Sequence, residues 1–172
     1  MGGREVDGVL ITGVYGSGKS SVAAEIGYLL EQRRQPYALL DLDYLSWAGT
    51  GSNDRGEEFG LLLQNLADVM RNYRRAGILR FVLAYFVRDA AEVQALRQAA
   101  GVPVHVARLE VPLAEIERRL AADITSGRHD DLRQAASSVA ACEGVGAEDV
   151  VITNDRPIRV VAEGLLALLG WL

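Results

Sequence analysis

The sequence has one cysteine and no apolar run of membrane-spanning length. Because Cys142 stands alone among 172 residues, no disulfide can form within the chain and no site built from several cysteines can hold a metal. The amino end does not have the pattern of a signal peptide, and no stretch resembles a transmembrane helix. We therefore expect a soluble, cytoplasmic protein that has no membrane partner.

The chain also lacks a surplus of positive charge. Its 18 Lys and Arg residues and 23 Asp and Glu residues give a net charge of −5, which disfavours binding to the phosphates of a nucleic acid. The arginines that cluster at residues 33–34 and 71–75 are typical of solvated helix ends. Apolar residues make up 49% of the chain, which is enough for one globular domain over residues 1–172.

Strand-like and helix-like patterns alternate along the sequence. The predicted strands are residues 6–12, 37–42, 78–86, 103–110 and 149–153. The predicted helices are 19–33, 58–75, 89–99, 112–122, a helix of small residues that follows a polar link at 123–131 and ends before Gly144, and 157–169. Their expected inward residues include Val22, Ile26, Leu29, Leu30, Leu62, Leu66, Val69, Tyr73, Leu113, Ile116 and Leu120. This alternation predicts an α/β fold in which helices cover both faces of a five-stranded parallel sheet.

Residues 13–20 match the phosphate-loop pattern G-x-x-x-x-G-K-[ST] and lie between the first strand and the first helix. Glycines let backbone N–H groups converge on an anion at the start of the helix. Lys19 can reach the β- and γ-phosphates, and Ser20 can bring its hydroxyl to Mg²⁺. The residues expected to hold the nucleotide here are Gly13, Val14, Tyr15, Gly16, Ser17, Gly18, Lys19, Ser20 and Ser21.

Two other nucleotide-binding patterns are absent. A dinucleotide site requires G-x-G-x-x-G, but Gly16-Ser17-Gly18 continues into Lys19 without a third glycine. A GTP switch would need Asp-x-x-Gly after the third strand and an Asn-Lys-x-Asp base reader, and the chain has neither. The motif therefore favours a nucleoside triphosphate with Mg²⁺.

Two carboxylates follow the second predicted strand, at Asp41 and Asp43. Alternate side chains of a strand share a face, so we expect both to point toward the phosphate loop. One can hold Mg²⁺ and the other can take a proton from an attacking hydroxyl. The competing interpretation is a strand-end turn with two exposed aspartates.

The layout resembles the small P-loop kinases, which include shikimate, gluconate and adenylylsulfate kinases and chloramphenicol phosphotransferase. It is most similar to bacterial AAA-type ATPase or kinase-like proteins with a D-L-D-[WY] signature. The resemblance rests on residues 13–20, the Asp41-x-Asp43 pair, residues 117–120 and residues 154–157. It implies a three-layer P-loop NTPase fold with strand order 2-3-1-4-5 and a small lid over about residues 121–132.

The resemblance also implies roles for single residues. Asp43 corresponds to the substrate-facing acid or base, and Asp41 to the carboxylate on the magnesium side. Arg119 corresponds to the arginine that packs over adenine, and Arg128 to a catalytic lid arginine that closes over the phosphates. The residues of the loop that would contact the base edge are Asn154, Arg156 and Pro157.

The chain departs from these relatives at two positions. Asp123 stands where relatives often have a phosphate-binding arginine four residues after the adenine arginine. The third strand ends in Ala84-Tyr85-Phe86 and so lacks the usual carboxylate, because Asp89 is better explained as a helix cap. Magnesium would then depend on Ser20, Asp41 and phosphate oxygens.

Residues 46–57 are rich in turn formers and occupy the place where the relatives bind the phosphate acceptor. Tyr44, Trp47, Asn53, Asp54 and Arg55 have the aromatic and polar character of a small-molecule pocket, and Arg55 suits an anionic acceptor. A surface loop without a binding role explains the same composition.

The sequence thus predicts an ATP-dependent, Mg²⁺-dependent kinase that phosphorylates a hydroxyl of a small molecule. A nucleoside monophosphate kinase would need more arginines near the acceptor than Arg55 and Arg88. A protein that binds or hydrolyses ATP without transfer is the third possibility. The identity of the acceptor and the oligomeric state stay open.

Overall fold

The computed structural model describes residues 6–48, 51, 54–121 and 146–172, with side chains in the third segment described through residue 118. Five described strands are β1 (Asp7–Thr12), β2 (Tyr37–Asp41), β3 (Arg80–Ala84), β4 (Val104–Glu110) and β5 (Val150–Thr153). They form one parallel sheet in the order β2-β3-β1-β4-β5. The predicted sheet and its order are confirmed.

Six described helices connect or follow these strands. They are α1 (Lys19–Gln32), α2 (Asp43–Ser46), α3 (Arg55–Arg75), α4 (Ala90–Ala100), α5 (Leu113–Ala121) and α6 (Ile158–Leu168). None of the described helices is both long enough and apolar enough to cross a bilayer.

Helices cover both faces of the sheet, so the structure has three layers. On one face, α1 and α6 pack on the side chains that β1 alternately presents at Val9 and Ile11. On the other face, α3 and α4 pack on Leu10 of β1 and Leu83 of β3. This arrangement brings the carboxyl ends of β1, β2 and β3 to one edge, where loops are free to form a site.

The predicted inward face of α1 is confirmed, because Val22, Ile26, Leu29 and Leu30 are fully buried. The prediction for α3 is partly wrong. Leu62 and Leu66 are buried, but Met70 completes the buried row, while Val69 is only partly buried and Tyr73 is 39% exposed. Periodicity identifies the inward side of a helix, but it does not say where along the helix contact with the sheet ends.

A similar correction applies to α5. Ile116 is buried as expected, but Leu113 is 37% exposed. Leu113 is the first residue of the helix. It therefore lies at the end of the helix, whereas Ile116 lies one turn further in and packs on the protein. The side chain of Leu120 lies outside the described part of the chain.

Strand β2 is shorter than predicted, and this changes how its two aspartates come together. It ends at Asp41, and Leu42 has helical backbone angles (φ −72°, ψ −18°) before α2 begins at Asp43. The expectation that strand alternation turns both carboxylates to one face is therefore wrong. The buried Leu42 side chain anchors the turn, and the chain winds into a helix instead of continuing the strand.

Helix α3 begins at Arg55, three residues before the predicted start. Asp54 has extended backbone angles, and its carboxylate accepts a hydrogen bond from the Gly56 N–H at 2.7 Å, which caps the helix. Glu57 and Glu58 lie in the first turn, where their negative charges interact favourably with the positive end of the helix dipole. The predicted loop 46–57 therefore ends in a helical turn, and residues 49, 50, 52 and 53 lie outside the described chain.

The predicted cap at Asp89 is confirmed. Its carboxylate accepts a hydrogen bond from the Glu92 N–H at 2.8 Å at the start of α4. At the last helix, Pro157 is the capping residue and α6 begins one position later, at Ile158.

Candidate functional site

The phosphate loop connects the buried end of β1 to the start of α1. Its backbone depends on glycine at two points in particular. Gly13 has φ +142°, and a Cβ atom there would lie 2.7 Å from the carbonyl oxygen of Leu109 in β4. Gly18 has φ +93° and is the residue that precedes the first turn of α1. The loop can therefore lie close against β4 and direct N–H groups toward one point.

Lys19 is folded into the loop that it follows. Its Nζ donates hydrogen bonds to the carbonyl oxygens of Gly13, at 2.9 Å, and of Val14, at 3.2 Å. Desolvation is the main cause that lowers the pKa of Lys19, and the nearby carboxylates of Asp43 and Asp41 oppose it. The positive charge is thus held at the mouth of the loop and near both aspartates.

Asn154, which follows β5, supports the phosphate loop from beneath. Its side chain is 1% exposed and donates a hydrogen bond of 2.8 Å to the Ser17 carbonyl. Its backbone N–H donates to the Glu110 carbonyl at the end of β4. Both the side chain and the backbone N–H of Asn154 are therefore engaged within the protein, and the side chain holds the phosphate loop.

A small apolar cluster joins the phosphate loop to α5. Val14 of the loop and Ile116 of α5 are buried against each other, with Tyr15, Phe86 and Val111 packed around them. The helix that leads toward the predicted lid is thus anchored on the loop that would hold the phosphates.

Asp41 contacts the phosphate loop across an intervening strand. Its Oδ2 accepts a hydrogen bond of 3.0 Å from the hydroxyl of Ser20, although β3 lies between β2 and β1. Ala84 of β3 is in register with both Asp41 and Ile11, so the three side chains share a face. Because Ala84 is small, the Asp41 carboxylate can extend over it to the start of α1.

Asp43 comes to the same edge by a different route. Its backbone N–H donates to Oδ1 of Asp41 at 3.3 Å, and the short helix α2 begins there. Although Asp43 keeps contact with solvent, desolvation by the surrounding protein is the main cause that raises the pKa of its carboxyl group. Asp41 raises this pKa further, whereas Lys19 and Arg55 lower it.

The aromatic residues predicted for the acceptor side lie on and beside α2. The rings of Tyr44 and Trp47 stack at a centroid distance of 5.5 Å, and both are exposed, Trp47 by 79%. The Asn65 side chain donates a hydrogen bond of 2.6 Å to the Leu45 carbonyl, which holds α2 on α3. The pair therefore forms an aromatic surface at the edge of the site.

A second aromatic pair, which the sequence did not assign to the site, lies beneath. Phe59 of α3 and Tyr85, which follows β3, stack at 6.4 Å with an interplanar angle of 20°. The Tyr85 N–H donates to the Ile11 carbonyl, and this bond fixes the residue beside β1. Two features would have indicated these residues: Phe59 is one helical turn after Arg55, and Tyr85 ends a strand at the ligand-binding edge.

The structure thus brings Lys19, Ser20, Asp41 and Asp43 together at one edge of the sheet, and the charge of Arg55 acts on Asp43. Tyr44 and Trp47 lie on and directly after α2, which begins at Asp43. Arg156 is exposed beside Asp155, with 3.8 Å between the closest charged atoms. The side chain of Arg119, and all of Asn53, Asp123, Arg128 and the lid segment after residue 121, lie outside the described residues.

The described residues fit a magnesium ion that is shared with a triphosphate. The Ser20 hydroxyl and the Asp41 carboxylate already meet at 3.0 Å, and both are oxygen ligands of the kind that Mg²⁺ takes. Within the described residues, no group of three or more His, Cys, Asp and Glu side chains forms a metal cluster. A magnesium ion at this edge would therefore draw its remaining ligands from phosphate and water.

Solved structures with the same fold cover almost the whole chain. An unliganded sugar kinase from Janibacter sp. has 21% identity and a TM-score of 0.71, with 96% of this chain and 95% of that chain covered. The adenylylsulfate (APS) kinase of Mycobacterium tuberculosis, in complex with AMPPNP and APS, has 23% identity and a TM-score of 0.69 over 98% and 99%. The shikimate kinase of Acinetobacter baumannii, in complex with shikimate, has 16% identity and a TM-score of 0.60 over 98% and 95%.

These likenesses establish the three-layer P-loop NTPase fold that the sequence predicted. No curated protein matches the chain by sequence. The sequence profile of one family, described as AAA domain, matches residues 9–139. That match runs from β1 through the phosphate loop, the two aspartates and α5, which is more than half of the sequence, and so the chain belongs to the AAA domain family.

Proposed function

We propose that this protein is an ATP-dependent kinase that moves the γ-phosphoryl group of ATP to a hydroxyl of a small molecule. The observation that carries the proposal is the meeting of Lys19, Ser20, Asp41 and Asp43 at one edge of the sheet. A phosphate loop accounts for nucleotide binding alone. A second carboxylate beside its lysine adds a group that can act on an acceptor.

On the nucleotide side, the N–H groups of residues 13–21 would hold the phosphates, and Lys19 would exchange its bonds to loop carbonyls for phosphate oxygens. Ser20 and Asp41 would hold Mg²⁺. The bound ion would offset negative charge on the β- and γ-phosphates. Arg119 would pack on adenine, and the segment with Asn154, Arg156 and Pro157 would contact the base edge.

On the acceptor side, Asp43 would orient the acceptor hydroxyl and accept its proton. The hydroxyl oxygen forms a bond to the γ-phosphorus as the bond from that phosphorus to the bridging oxygen breaks, and ADP leaves with the electron pair. Because desolvation raises its pKa, Asp43 is a stronger base than an ordinary aspartate. Tyr44, Trp47 and Arg55 would contact the acceptor, and Arg128 in a lid over about residues 121–132 would help exclude water.

The similar structures support this assignment by what they contain. The APS kinase was solved with AMPPNP, a nucleotide, together with APS, and the shikimate kinase was solved with shikimate. A fold that holds a nucleotide and APS in the one protein, and shikimate in the other, is compatible with a nucleotide site and an acceptor site in one domain over residues 1–172 here.

A nucleoside monophosphate acceptor is less well supported. Of the two arginines on the acceptor side, Arg88 donates to Glu92 through Nε at 2.7 Å and forms an ion pair through Nη2 at 2.6 Å. Arg55 alone would then face a phosphate that carries nearly two negative charges at neutral pH.

The decisive experiment compares Asp43→Asn with the wild type. Transfer of labelled γ-phosphate from ATP to a mixture of hydroxylated metabolites should fall about 10²- to 10⁴-fold, the range expected for the loss of a general base. Affinity for AMPPNP, measured by calorimetry, should be retained, since Lys19 and the loop are unchanged. Asp68→Asn, on the exposed surface of α3, is the matched control and should transfer at the wild-type rate.

Two results would reject the proposal. One is full transfer by the Asp43→Asn protein. The other is wild-type hydrolysis of ATP that no member of the metabolite mixture alters and that yields no phosphorylated product, which would indicate an ATPase without an acceptor.

A further inference from the structure

The phosphate loop is braced at two points by the strands on one side of it. At its first residue, Gly13 lies so close to β4 that a Cβ atom would be 2.7 Å from the Leu109 carbonyl oxygen. At its fifth residue, the Ser17 carbonyl accepts a hydrogen bond of 2.8 Å from the side chain of Asn154, which follows β5. Because β4 and β5 lie on the side of β1 away from β2, this support is separate from the acceptor residues that follow β2.

The contact between Asn154 and Ser17 is shielded from water and fixed at both ends. Ser17 is 0% exposed and Asn154 is 1% exposed. The backbone N–H of Asn154 donates to the Glu110 carbonyl at 2.8 Å, and the Ser17 N–H donates to the Val14 carbonyl at 3.1 Å. A buried hydrogen bond from a donor that is itself held in place can keep the Ser17 carbonyl in one orientation.

The orientation of the Ser17 carbonyl decides where the next N–H group points. The peptide bond between Ser17 and Gly18 is trans, so its C=O and N–H point in opposite directions within one plane. Asn154 holds the carbonyl toward the interior, and the N–H of the half-buried Gly18 therefore faces the open side of the loop. Gly18 directly precedes the first turn of α1, where N–H groups and the positive end of the helix dipole favour an anion.

We infer that Asn154 is a positioning residue of the nucleotide site, which aims the Gly18 N–H at the phosphates by holding the Ser17 carbonyl from beneath. This inference rests on the nucleotide-binding step of the proposed function and adds to it a side chain that touches neither base nor phosphate. Contacts with the base then belong to the rest of that segment, at Arg156 and Pro157. Asn154 connects the segment that would read the base to the loop that would hold the phosphates.

A direct contact with the base is the competing role for Asn154. The geometry disfavours it, because the side-chain amide and the backbone N–H both donate to carbonyls within the protein. The two roles differ in the ligands that they affect. Positioning acts on any ligand that places phosphates in the loop, whereas a base contact acts on nucleotides alone. Inorganic tripolyphosphate has the phosphates without the base and so separates the two roles.

The test titrates AMPPNP and inorganic tripolyphosphate, each with Mg²⁺, into the wild type and two Asn154 variants by calorimetry. Asn154→Leu nearly keeps the volume and leaves the Ser17 carbonyl without its donor, so the peptide group can turn. We expect both ligands to bind at least about tenfold more weakly, the lower end of the range for one hydrogen bond to a charged group. Asn154→Ala leaves space for a water molecule to bond to the carbonyl and should lose less, about 2- to 5-fold.

A control variant separates positioning from a general loss of stability. Ile152→Val removes one methylene from a residue that is 9% exposed on the same strand. It lowers stability without touching the contact with Ser17, so both ligands should bind to it as they bind to the wild type. The three proteins are unfolded in urea alongside, so that each affinity is compared with a measured stability.

The amide signal of Gly18 in ¹H–¹⁵N spectra reports on the inferred contact directly. In the wild type, Mg²⁺ with AMPPNP should move the Gly18 proton downfield, because a hydrogen bond to a phosphate oxygen deshields it. Ile152→Val should keep this movement, and Asn154→Leu should show a smaller one. If neither Asn154 variant folds, or if tripolyphosphate does not bind to the wild type, the wild-type Gly18 signal decides, and a signal that AMPPNP leaves unmoved rejects the inference.

Three binding results would also overturn the inference. They are wild-type affinity for both ligands in the Asn154 variants, a loss for AMPPNP with none for tripolyphosphate, and equal losses in Asn154→Leu and Ile152→Val. None of these measurements uses an acceptor. Absent phosphoryl transfer would therefore reject the kinase function and leave the inference standing, whereas a wild type that binds neither ligand would reject both.

Discussion

The candidate site has two halves, the phosphate loop (residues 13–20) with the groups that support it and the acceptor half around α2 and the start of α3. The halves differ in how many of their polar groups already have partners within the protein. In the phosphate-loop half, Lys19 donates to loop carbonyls, Asn154 donates to the Ser17 carbonyl and Thr12 accepts from the Val87 N–H. In the acceptor half, Trp47 is largely exposed and Arg55 lacks a described partner. The phosphate-loop half is built before any ligand arrives, whereas the acceptor half leaves its binding groups open.

The cause of this difference lies in the elements beneath each half. The phosphate loop follows the central strand β1, whose side chains are buried on both faces of the sheet. The acceptor half depends on α2, a helix of only four residues. Rigid support suits a triphosphate, whose shape is constant, while a lightly supported surface can change with the acceptor without loss of the fold.

The largest expected effect comes from a change at Asp41. This residue ends β2 on the acceptor side, but its carboxylate is hydrogen-bonded to Ser20 of the phosphate loop. Asp41→Asn can keep a hydrogen bond with Ser20 but removes the charge. We expect the Mg²⁺ concentration needed for half-maximal AMPPNP binding to rise about 10- to 100-fold, the usual cost of a lost supporting group at a metal site. Calorimetric titrations at a series of free Mg²⁺ concentrations measure it.

Asp68→Asn again serves as the control, because it removes a carboxylate from the outer surface of α3 and should leave the Mg²⁺ requirement unchanged. If Asp41→Asn keeps the wild-type requirement, the ion is held elsewhere. The carboxylate that β3 lacks would then have no replacement on β2.

Alanine substitutions at two glycines, one in each half, compare how well the two halves tolerate an added Cβ atom. Gly13→Ala places a Cβ 2.7 Å from a main-chain oxygen of β4 at φ +142°, so we expect a loss of stability of about 2–3 kcal/mol. Gly60→Ala, within α3 and with nothing within 4 Å of the new Cβ, should gain about 0.5–1 kcal/mol, since alanine restricts the unfolded chain. Urea unfolding at constant slope measures both.

The comparison would fail if both alanine variants changed stability by the same amount. It would also fail if Gly13→Ala were neutral and kept its affinity for AMPPNP, because the loop would then be able to move away from β4 at little cost.

Local patterns in the sequence predicted the engaged half well. Glycine spacing and the lysine and serine that follow it define a loop that has one workable geometry, and alternating apolar segments define the sheet around it. The order of the strands came from the family resemblance and is confirmed. The cap at Asp89 was predictable because its partner, the Glu92 N–H, is three residues away.

The acceptor half was harder to predict because its geometry depends on one backbone turn and on contacts distant in sequence. Helical angles at Leu42 moved Asp43 off the strand, although Asp43 still reaches the loop edge. The stacking of Phe59 on Tyr85 joins residues 26 positions apart through the packing of α3 on the sheet. No local periodicity encodes such a contact.

The smallest expected effect is on the free energy of unfolding, which the ionised Asp43 carboxylate lowers. Desolvation raises the pKa of its carboxyl group in the folded state, above an unfolded value near 3.9, so the ionised form is disfavoured by folding. Above the folded pKa, Asp43→Asn should therefore show a small increase in melting temperature over the wild type. As the pH falls through the folded pKa toward about 4, the wild type takes up its proton and the difference should shrink. Asp68→Asn should show no such pH-dependent gain. If instead the Asp43→Asn protein is less stable than the wild type at pH 7–8, attraction from Lys19 and Arg55 outweighs desolvation. The acceptor half would then be as fully engaged as the phosphate loop.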